Sequence, residues 1–110
     1  MKLLVIILNK TEFLNELLSI LVEVGISKAT ILDSEGLGQH LAHDIPIFAG
    51  LKSLVGDSKT YNKTIMALVD DDSLLKDLKK LLKETDIDFS KEGMGLMFTL
   101  LVDKIMDLED

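Results

Sequence analysis

The sequence predicts an α+β fold in which one four-stranded antiparallel sheet carries two helices on a single face. Three observations lead to this prediction. Short apolar runs and helical repeats follow one another in the order β-α-β, long loop, β-α-β. Each β-α-β unit needs a right-handed crossover, and two such units interleave into one sheet with both helices on the same side. Apolar residues make up 47% of the 110 residues, enough for a hydrophobic core.

The first β-α-β unit is predicted over residues 3–32. Residues 3–8 are all apolar and include β-branched side chains, which is typical of a strand buried on both faces. Thr11 is the predicted N-cap of a helix whose leucines recur at helical spacing until Gly25 ends it. A second, weaker strand is predicted over residues 28–32.

A long loop over residues 36–63 shows neither helical nor strand periodicity. It contains four of the seven glycines, both histidines and the single proline. Pro46 suits a first helical turn and predicts a short helix over residues 46–54. The loop's apolar cluster is either a partner-docking element or, as we favour, a helix packed on the sheet or a neighbouring subunit. Its members are Ile45, Ile47, Phe48, Leu51, Leu54 and Val55.

The second β-α-β unit begins with a buried strand predicted over residues 64–69. The acidic run at residues 70–72 then opens a helix whose leucines form one stripe and whose lysines lie toward its end, in agreement with the helix dipole. The run could also bind a divalent cation, but consecutive carboxylates point in different directions and helix capping explains them. The fourth strand is predicted over residues 96–102. The complete order predicts a ferredoxin-like βαββαβ sandwich, a single domain over residues 1–110.

The strands also predict an oligomer. The first, third and fourth strands are apolar at nearly every position instead of alternating. The two helices cover one face of the sheet, so the opposite face must be buried by something else. A chain of this length has little left to cover that face, and we therefore predict that copies of the chain cover it.

Composition excludes several classes of function. The formal net charge is −7 and all twelve basic residues are lysine, so the basic face of a nucleic-acid or anionic-membrane binder is missing. The chain has no cysteine, which excludes disulfides, thiol catalysis and cysteine-based zinc sites. No apolar stretch is long enough for a signal peptide or a membrane span, so we expect a cytoplasmic protein without membrane insertion. No catalytic combination of residues is visible, and we expect that the protein is not an enzyme.

Two glycine-containing segments flank the predicted sheet strands. Gly36-Leu37-Gly38-Gln39-His40 follows the second strand, and Gly93-Met94-Gly95-Leu96 precedes and enters the fourth. In these positions they resemble the Gly-x-Gly-Arg-Gln turn and the phosphate-binding loop of the nitrogen-regulatory PII-type signalling proteins. The resemblance extends over most of the chain.

This resemblance implies a regulatory homotrimer whose sheets face inward. It implies a small-molecule effector at the subunit clefts and action through the long loop on a partner, a transporter or an enzyme. The implied ligand-binding residues are Gly36, Leu37, Gly38, Gln39, His40, Gly93 and Gly95. The family's modifiable loop tyrosine has no local match around Tyr61.

The sequence departs from the family at the positions that contact nucleotide phosphates. Gln39 replaces the arginine of the turn, and Leu96 replaces a lysine. Asp107 and Glu109 stand where the family has two arginines that hold ATP. A phosphate about 4 Å from a carboxylate is repelled by roughly 1–4 kcal/mol in partly wet surroundings. We therefore expect ordinary ATP or ADP binding to be lost or heavily altered, and the effector remains unidentified.

Alternative interpretations remain open at several residues. His40, His43 and Asp44 have the spacing of a metal-binding cluster, but we favour solvated loop histidines and predict no metal site. Gly36 either exposes N–H groups to a ligand or adopts a left-handed turn, and for Gly93 and Gly95 a structural role is favoured.

Two other proteins with this fold are alternatives for the whole chain. One is a metal-binding trimer similar to the CutA proteins, although the chain lacks their aromatic-rich strands. The other is a dimeric small-ligand domain of the amino-acid-binding ferredoxin-like kind.

Overall fold

The computed structural model describes residues 1–38, 40 and 61–107. The predicted helix over 46–54, the apolar loop cluster, His43 and Asp44 all lie outside these residues. The described elements are β1 (Lys2–Leu8), a 3₁₀ helix (Thr11–Phe13), α1 (Leu14–Val24), β2 (Ala29–Glu35), β3 (Tyr61–Val69), α2 (Asp72–Leu82) and β4 (Gly95–Leu101).

The predicted α+β, ferredoxin-like fold is confirmed. The four strands form one sheet in the order β2-β3-β1-β4, and every neighbouring pair is antiparallel. The helices pack on one face of this sheet, where alternate residues of β1 and β3 are buried with residues of both helices. This core includes Leu4, Ile6, Leu8, Leu17, Leu21, Ile65, Ala67, Val69, Leu78 and Leu82.

β2 and β3 are longer than their apolar segments predict. β2 continues to Glu35, and β3 already begins at Tyr61. The added length is polar and pairs across the two strands. Asp33 forms an ion pair with Lys63, and Ser34 lies opposite Asn62 in the register. Cross-strand polar pairs of this kind stabilise a ladder beyond its hydrophobic part, which a search for apolar runs does not detect.

The ends of α1 agree with the prediction at one terminus and differ at the other. Gly25 has φ +99°, and its N–H lies 3.0 Å from the carbonyl oxygen of Val22. It therefore ends the helix in the left-handed conformation that favours glycine. The prediction that Thr11 is the N-cap was wrong. Thr11 is the first residue of the short 3₁₀ helix, and Lys10 precedes that helix without a side-chain cap.

Asp71 caps the N-terminus of α2. Its Oδ1 accepts a hydrogen bond of 2.9 Å from the backbone N–H of Ser73. This bond, together with the side-chain bond from Ser73, lowers the pKa of the Asp71 carboxyl below its ordinary value of 3.8. Asp72 pairs with Lys2 at 3.1 Å. The acidic run therefore serves the helix start, as the capping interpretation predicted.

The Asp71 cap predicts a pH-dependent contribution to stability. Because the folded-state pKa lies below 3.8, the contribution of the ionised carboxylate is complete above the unfolded value and is lost as pH falls through the folded one. We expect Asp71→Ala to lower the free energy of unfolding near neutral pH and to lose this effect in acid. Urea titrations over a pH series measure the difference. Asp71→Asn keeps an acceptor without ionising, so its stability should vary less with pH than that of the unsubstituted protein. A pH-independent penalty for Asp71→Ala would contradict this account.

Candidate functional site

The sheet face opposite the helices is apolar and open to solvent in the described chain. The strand register aligns its side chains in three rows. These rows are Leu68–Leu3–Leu100, Met66–Val5–Phe98 and Thr64–Ile7–Leu96, and Leu32 extends the last of them on β2. Leu96 is 57% exposed and Leu100 53%. Soluble monomers rarely expose continuous apolar patches larger than a few hundred Å², so this open face is the molecule's main candidate for an interaction surface.

A group of polar side chains, which we call the polar cluster, occupies one end of the open face. It consists of Asn9, Ser34, Asn62 and Thr64. The hydroxyl of Ser34 hydrogen-bonds to Asn62 Oδ1 and lies 2.8 Å from the hydroxyl oxygen of Thr64. The amide nitrogen of Asn62 donates to Asn9 Oδ1 at 3.1 Å. Asn62 is only 7% exposed, and buried polar groups persist when they are hydrogen-bonded in this way.

Sequence reasoning missed the polar cluster. Its four residues come from the ends of three different strands, so no local motif contains them. The available signal was the alternation of Asn62 and Thr64 directly before the apolar run of β3. That alternation places both side chains on one strand face.

The two predicted glycine segments lie at the same end of the sheet. Gly36 follows the last residue of β2, and Gly95, the first residue of β4, pairs with Leu8 at the end of β1. β2 and β4 are, however, the two outer strands. Three strand spacings of about 4.8 Å separate these edges by about 14 Å. Within one chain, the two segments are therefore divided by β3 and β1.

Gly93 and Gly95 adopt conformations that favour glycine. Their φ angles are +87° and +139°. A Cβ atom on Gly95 would lie 1.9 Å from the carbonyl oxygen of Ile7, whereas nothing lies within 4 Å of a Cβ on Gly93. The adjoining Met94 carbonyl accepts a hydrogen bond of 2.9 Å from the N–H of Asn9. Gly95 is thus required for the close approach of β4 to β1, and its role in ligand binding remains a prediction.

The segment after β2 begins with a helical turn. The His40 N–H donates to the carbonyl oxygen of Gly36 at 2.9 Å, and His40 Nδ1 lies 2.9 Å from Glu35 Oε1. The interpretation of Gly36 as a left-handed turn was wrong, because the positive φ angles of the described glycines occur at Gly25, Gly93 and Gly95. Leu37 and Gly38 lie in the same turn. Gln39 lies outside the described residues.

The structure adds little support for the other candidate sites. Within residues 1–38, 40 and 61–107, no three histidine, aspartate or glutamate side chains come together in an arrangement suited to a metal ion. Leu96 projects from the open face beside Ile7, and Asp107 lies exposed beyond β4, whereas Glu109 is outside the described residues. Neither α1 nor α2, nor any other helix in the described part, is long and apolar enough to cross a membrane.

The family model described as nitrogen regulatory protein P-II matches residues 1–109, nearly the full chain. A search of the curated proteins found no match.

Proposed function

Because the chain belongs to the nitrogen regulatory protein P-II family, we propose that it is a cytoplasmic regulatory protein that works as a homotrimer. In this proposal it senses a small molecule at the clefts between subunits. The loop that begins at Gly36 then acts on a partner protein, a transporter or an enzyme. Family membership supports the regulatory role, the open face supports the trimer, and the positions of the two glycine segments support the cleft.

The open face is the observation that carries the proposal. Its three rows contain leucine, isoleucine, valine, methionine and phenylalanine side chains, several of them about half exposed. Burying apolar surface contributes about 25 cal/mol per Å². Copies of the same chain offer the same apolar face in return, so an assembly around this face would remove a large apolar area from water in every subunit.

The cleft is supported by the positions of the two glycine segments. They lie at one end of the sheet but on its two opposite edges, so a single chain cannot bring them together. A ring of copies can place the β2 edge of one subunit near the β4 edge of the next. One ligand could then contact residues 36–40 of one chain and the turn around Gly93 and Gly95 of its neighbour.

The polar cluster offers a path from such a ligand to the loop. The Met94 carbonyl is bound by the Asn9 N–H, Asn9 Oδ1 accepts from Asn62, and Asn62 Oδ1 accepts from Ser34. These bonds link the turn before β4 to the strands from which the loop leaves. A ligand shifts a conformational equilibrium by its difference in affinity for the two states. A ligand that contacts this chain in only one loop position would favour that position.

Solution mass tests the assembly. We expect sedimentation equilibrium at micromolar concentration to give about three times the chain mass of 12.2 kDa. A mass of two chains would favour the dimeric small-ligand domain. A lone, well-folded protomer would overturn the homotrimer.

Calorimetry with a variant of the polar cluster tests the cleft. ATP, ADP, AMP and a cyclic dinucleotide are titrated into the protein, and we expect heat from at least one. Asn62→Leu removes the amide that links Asn9 to Ser34, so the affinity for that ligand should fall at least about tenfold, the equivalent of one or two buried hydrogen bonds. The control is Thr30→Val, which alters the same face outside the cluster. Equal affinities in both variants would exclude the polar cluster from the response to the ligand. Silence from all four ligands would contradict the sensing role and leave only the fold and family standing.

A further inference from the structure

A cavity of about 470 Å³ lies on the helix side of the sheet. Its lining comes from the C-terminal end of α2, which we call the helix wall, from the connection between α2 and β4, which we call the connecting wall, and from Met97 of β4, which we call the floor. The lining residues are Lys79, Leu82, Lys83, Thr85, Ile87, Asp88, Phe89, Ser90 and Met97. Small-molecule sites in proteins have volumes of about 300–1,000 Å³, so the cavity can hold a small organic molecule.

The interior of the cavity is apolar. Leu82 and Ile87 belong to the hydrophobic core, and Phe89 and Met97 pack against it while keeping part of their surface free. An aliphatic or aromatic group entering between them would exchange contact with water for contact with carbon and sulfur. The cavity floor therefore favours a ligand with an apolar body.

The polar groups of the connecting wall already have partners. The Thr85 hydroxyl donates to the carbonyl oxygen of Leu82 and accepts from the N–H of Ile87. Asp88 accepts hydrogen bonds from the Ser90 hydroxyl at 2.6 Å and the Ser90 N–H at 2.9 Å. These bonds and the nearby Lys91 charge lower the pKa of the Asp88 carboxyl. A ligand thus finds few unoccupied hydrogen-bonding groups on this wall.

The helix wall differs because two lysines, Lys79 and Lys83, contribute to it. Lys79 lies in the last turn of α2, and Lys83 is the C-cap residue four positions later, about 6 Å further along the helix axis. Neither side chain makes an ion pair or hydrogen bond with the part of the chain that the structure describes. In a protein of net charge −7, two adjacent cations beside an apolar cavity form a local site for an anion. Among the described residues that line the cavity, the single opposing charge is that of Asp88, which Ser90 and Lys91 already engage.

We propose that this cavity binds a small organic carboxylate with an apolar body, with the carboxylate between Lys79 and Lys83 and the body against Leu82, Phe89 and Met97. The site is separate from the proposed subunit cleft. It lies on the helix side of the sheet, whereas the open face and the polar cluster lie on the other.

The test uses 4-phenylbutanoate as probe and 4-phenylbutanol as its uncharged counterpart. Binding is followed by the methyl NMR signals of the methionines, which are assigned by Met→Leu substitution. Met97 reports the cavity, and Met66 reports the open face. We expect the acid to shift the Met97 signal in a saturable manner and to bind more tightly than the alcohol. A shift at Met66 without one at Met97 would place the probe on the open face and overturn the proposal.

Two double variants separate the lysine pair from the general charge of the protein. K79A/K83A should weaken binding of 4-phenylbutanoate about five- to tenfold, as expected for losing two partly exposed ion pairs. K76A/K80A removes the same charge from the same helix at residues that do not line the cavity, and should bind nearly as the unsubstituted protein does. Asp88→Asn should tighten binding, because it removes the opposing charge. Equal effects of the two double variants, or equal binding of acid and alcohol, would refute the site.

Discussion

Replacing Leu100 with aspartate is expected to dissociate the proposed homotrimer into monomers. Leu100 lies beside Leu3 in the first row of the open face and is 53% exposed in the isolated chain. In a homotrimer built on this face, each subunit would have to bury an unpaired carboxylate, which costs several kcal/mol. We expect the midpoint concentration for association to rise by at least about 100-fold, as measured by sedimentation velocity over a dilution series.

Leu101→Asp is the matched control for this experiment. It introduces the same substitution at the next residue of β4, whose side chain points to the opposite face of the sheet and is 83% exposed. This variant should keep the mass of the unsubstituted protein. Far-UV circular dichroism verifies that both variants remain folded. If Leu100→Asp assembled normally, the open face would not be the contact between copies.

Among the substitutions considered, Gly95→Ala is expected to lower the free energy of unfolding the most. The added Cβ would lie 1.9 Å from the Ile7 carbonyl oxygen, and the φ angle of +139° is itself unfavourable for alanine. Both atoms in the collision are fixed to the backbone, so β4 would have to move away from β1 and weaken its ladder. We expect the free energy of unfolding to fall by about 3 kcal/mol or more, as measured by urea unfolding at a constant protomer concentration.

Gly93→Ala separates the collision from the cost of the dihedral angle. Gly93 has a φ angle of +87°, but a Cβ atom added there would meet nothing within 4 Å. Its replacement should therefore cost only the left-handed conformation of a residue with a Cβ, about 1–2 kcal/mol. A similar loss in both variants would show that the close approach of Gly95 to Ile7 does not determine stability.

The fold could be predicted from the sequence because its signals are local and strong. The unbroken apolar run of β1, the leucine stripes of both helices and the stop at Gly25 each depend on neighbouring residues. The polar extensions of β2 and β3 could not be predicted in this way. Ser34 and Asn62 resemble loop residues until their strands are paired, and that pairing joins positions 28 residues apart.

The candidate site could likewise be predicted only where its signals are local in the sequence. The glycine segments were visible as motifs, and the topology places them at one end of the sheet. The polar cluster and the cavity beside α2 depend on three-dimensional contacts among separate elements. Lys79 and Lys83 illustrate this, because in the sequence they read as ordinary solvated lysines near a helix end. Only the cavity walls distinguish them from Lys76 and Lys80.

The polar cluster makes the two ends of the open face chemically different. The buried amide of Asn62 and the part-buried hydroxyls of Ser34 and Thr64 mark one end of it, and the leucines of the first row mark the other. Copies paired by a two-fold axis that reverses the strands would set the polar cluster of one copy against the leucines of the other. The amide of Asn62 would keep its bonds to Asn9 and Ser34, but the cluster's remaining hydrogen-bonding capacity would lose contact with water and gain no partner. Copies related by rotation about an axis parallel to the strands place the same ends of their open faces side by side, so the polar cluster of one copy lies beside that of the next. In the proposed assembly, this difference between the two ends would disfavour inverted pairs and favour closed rings.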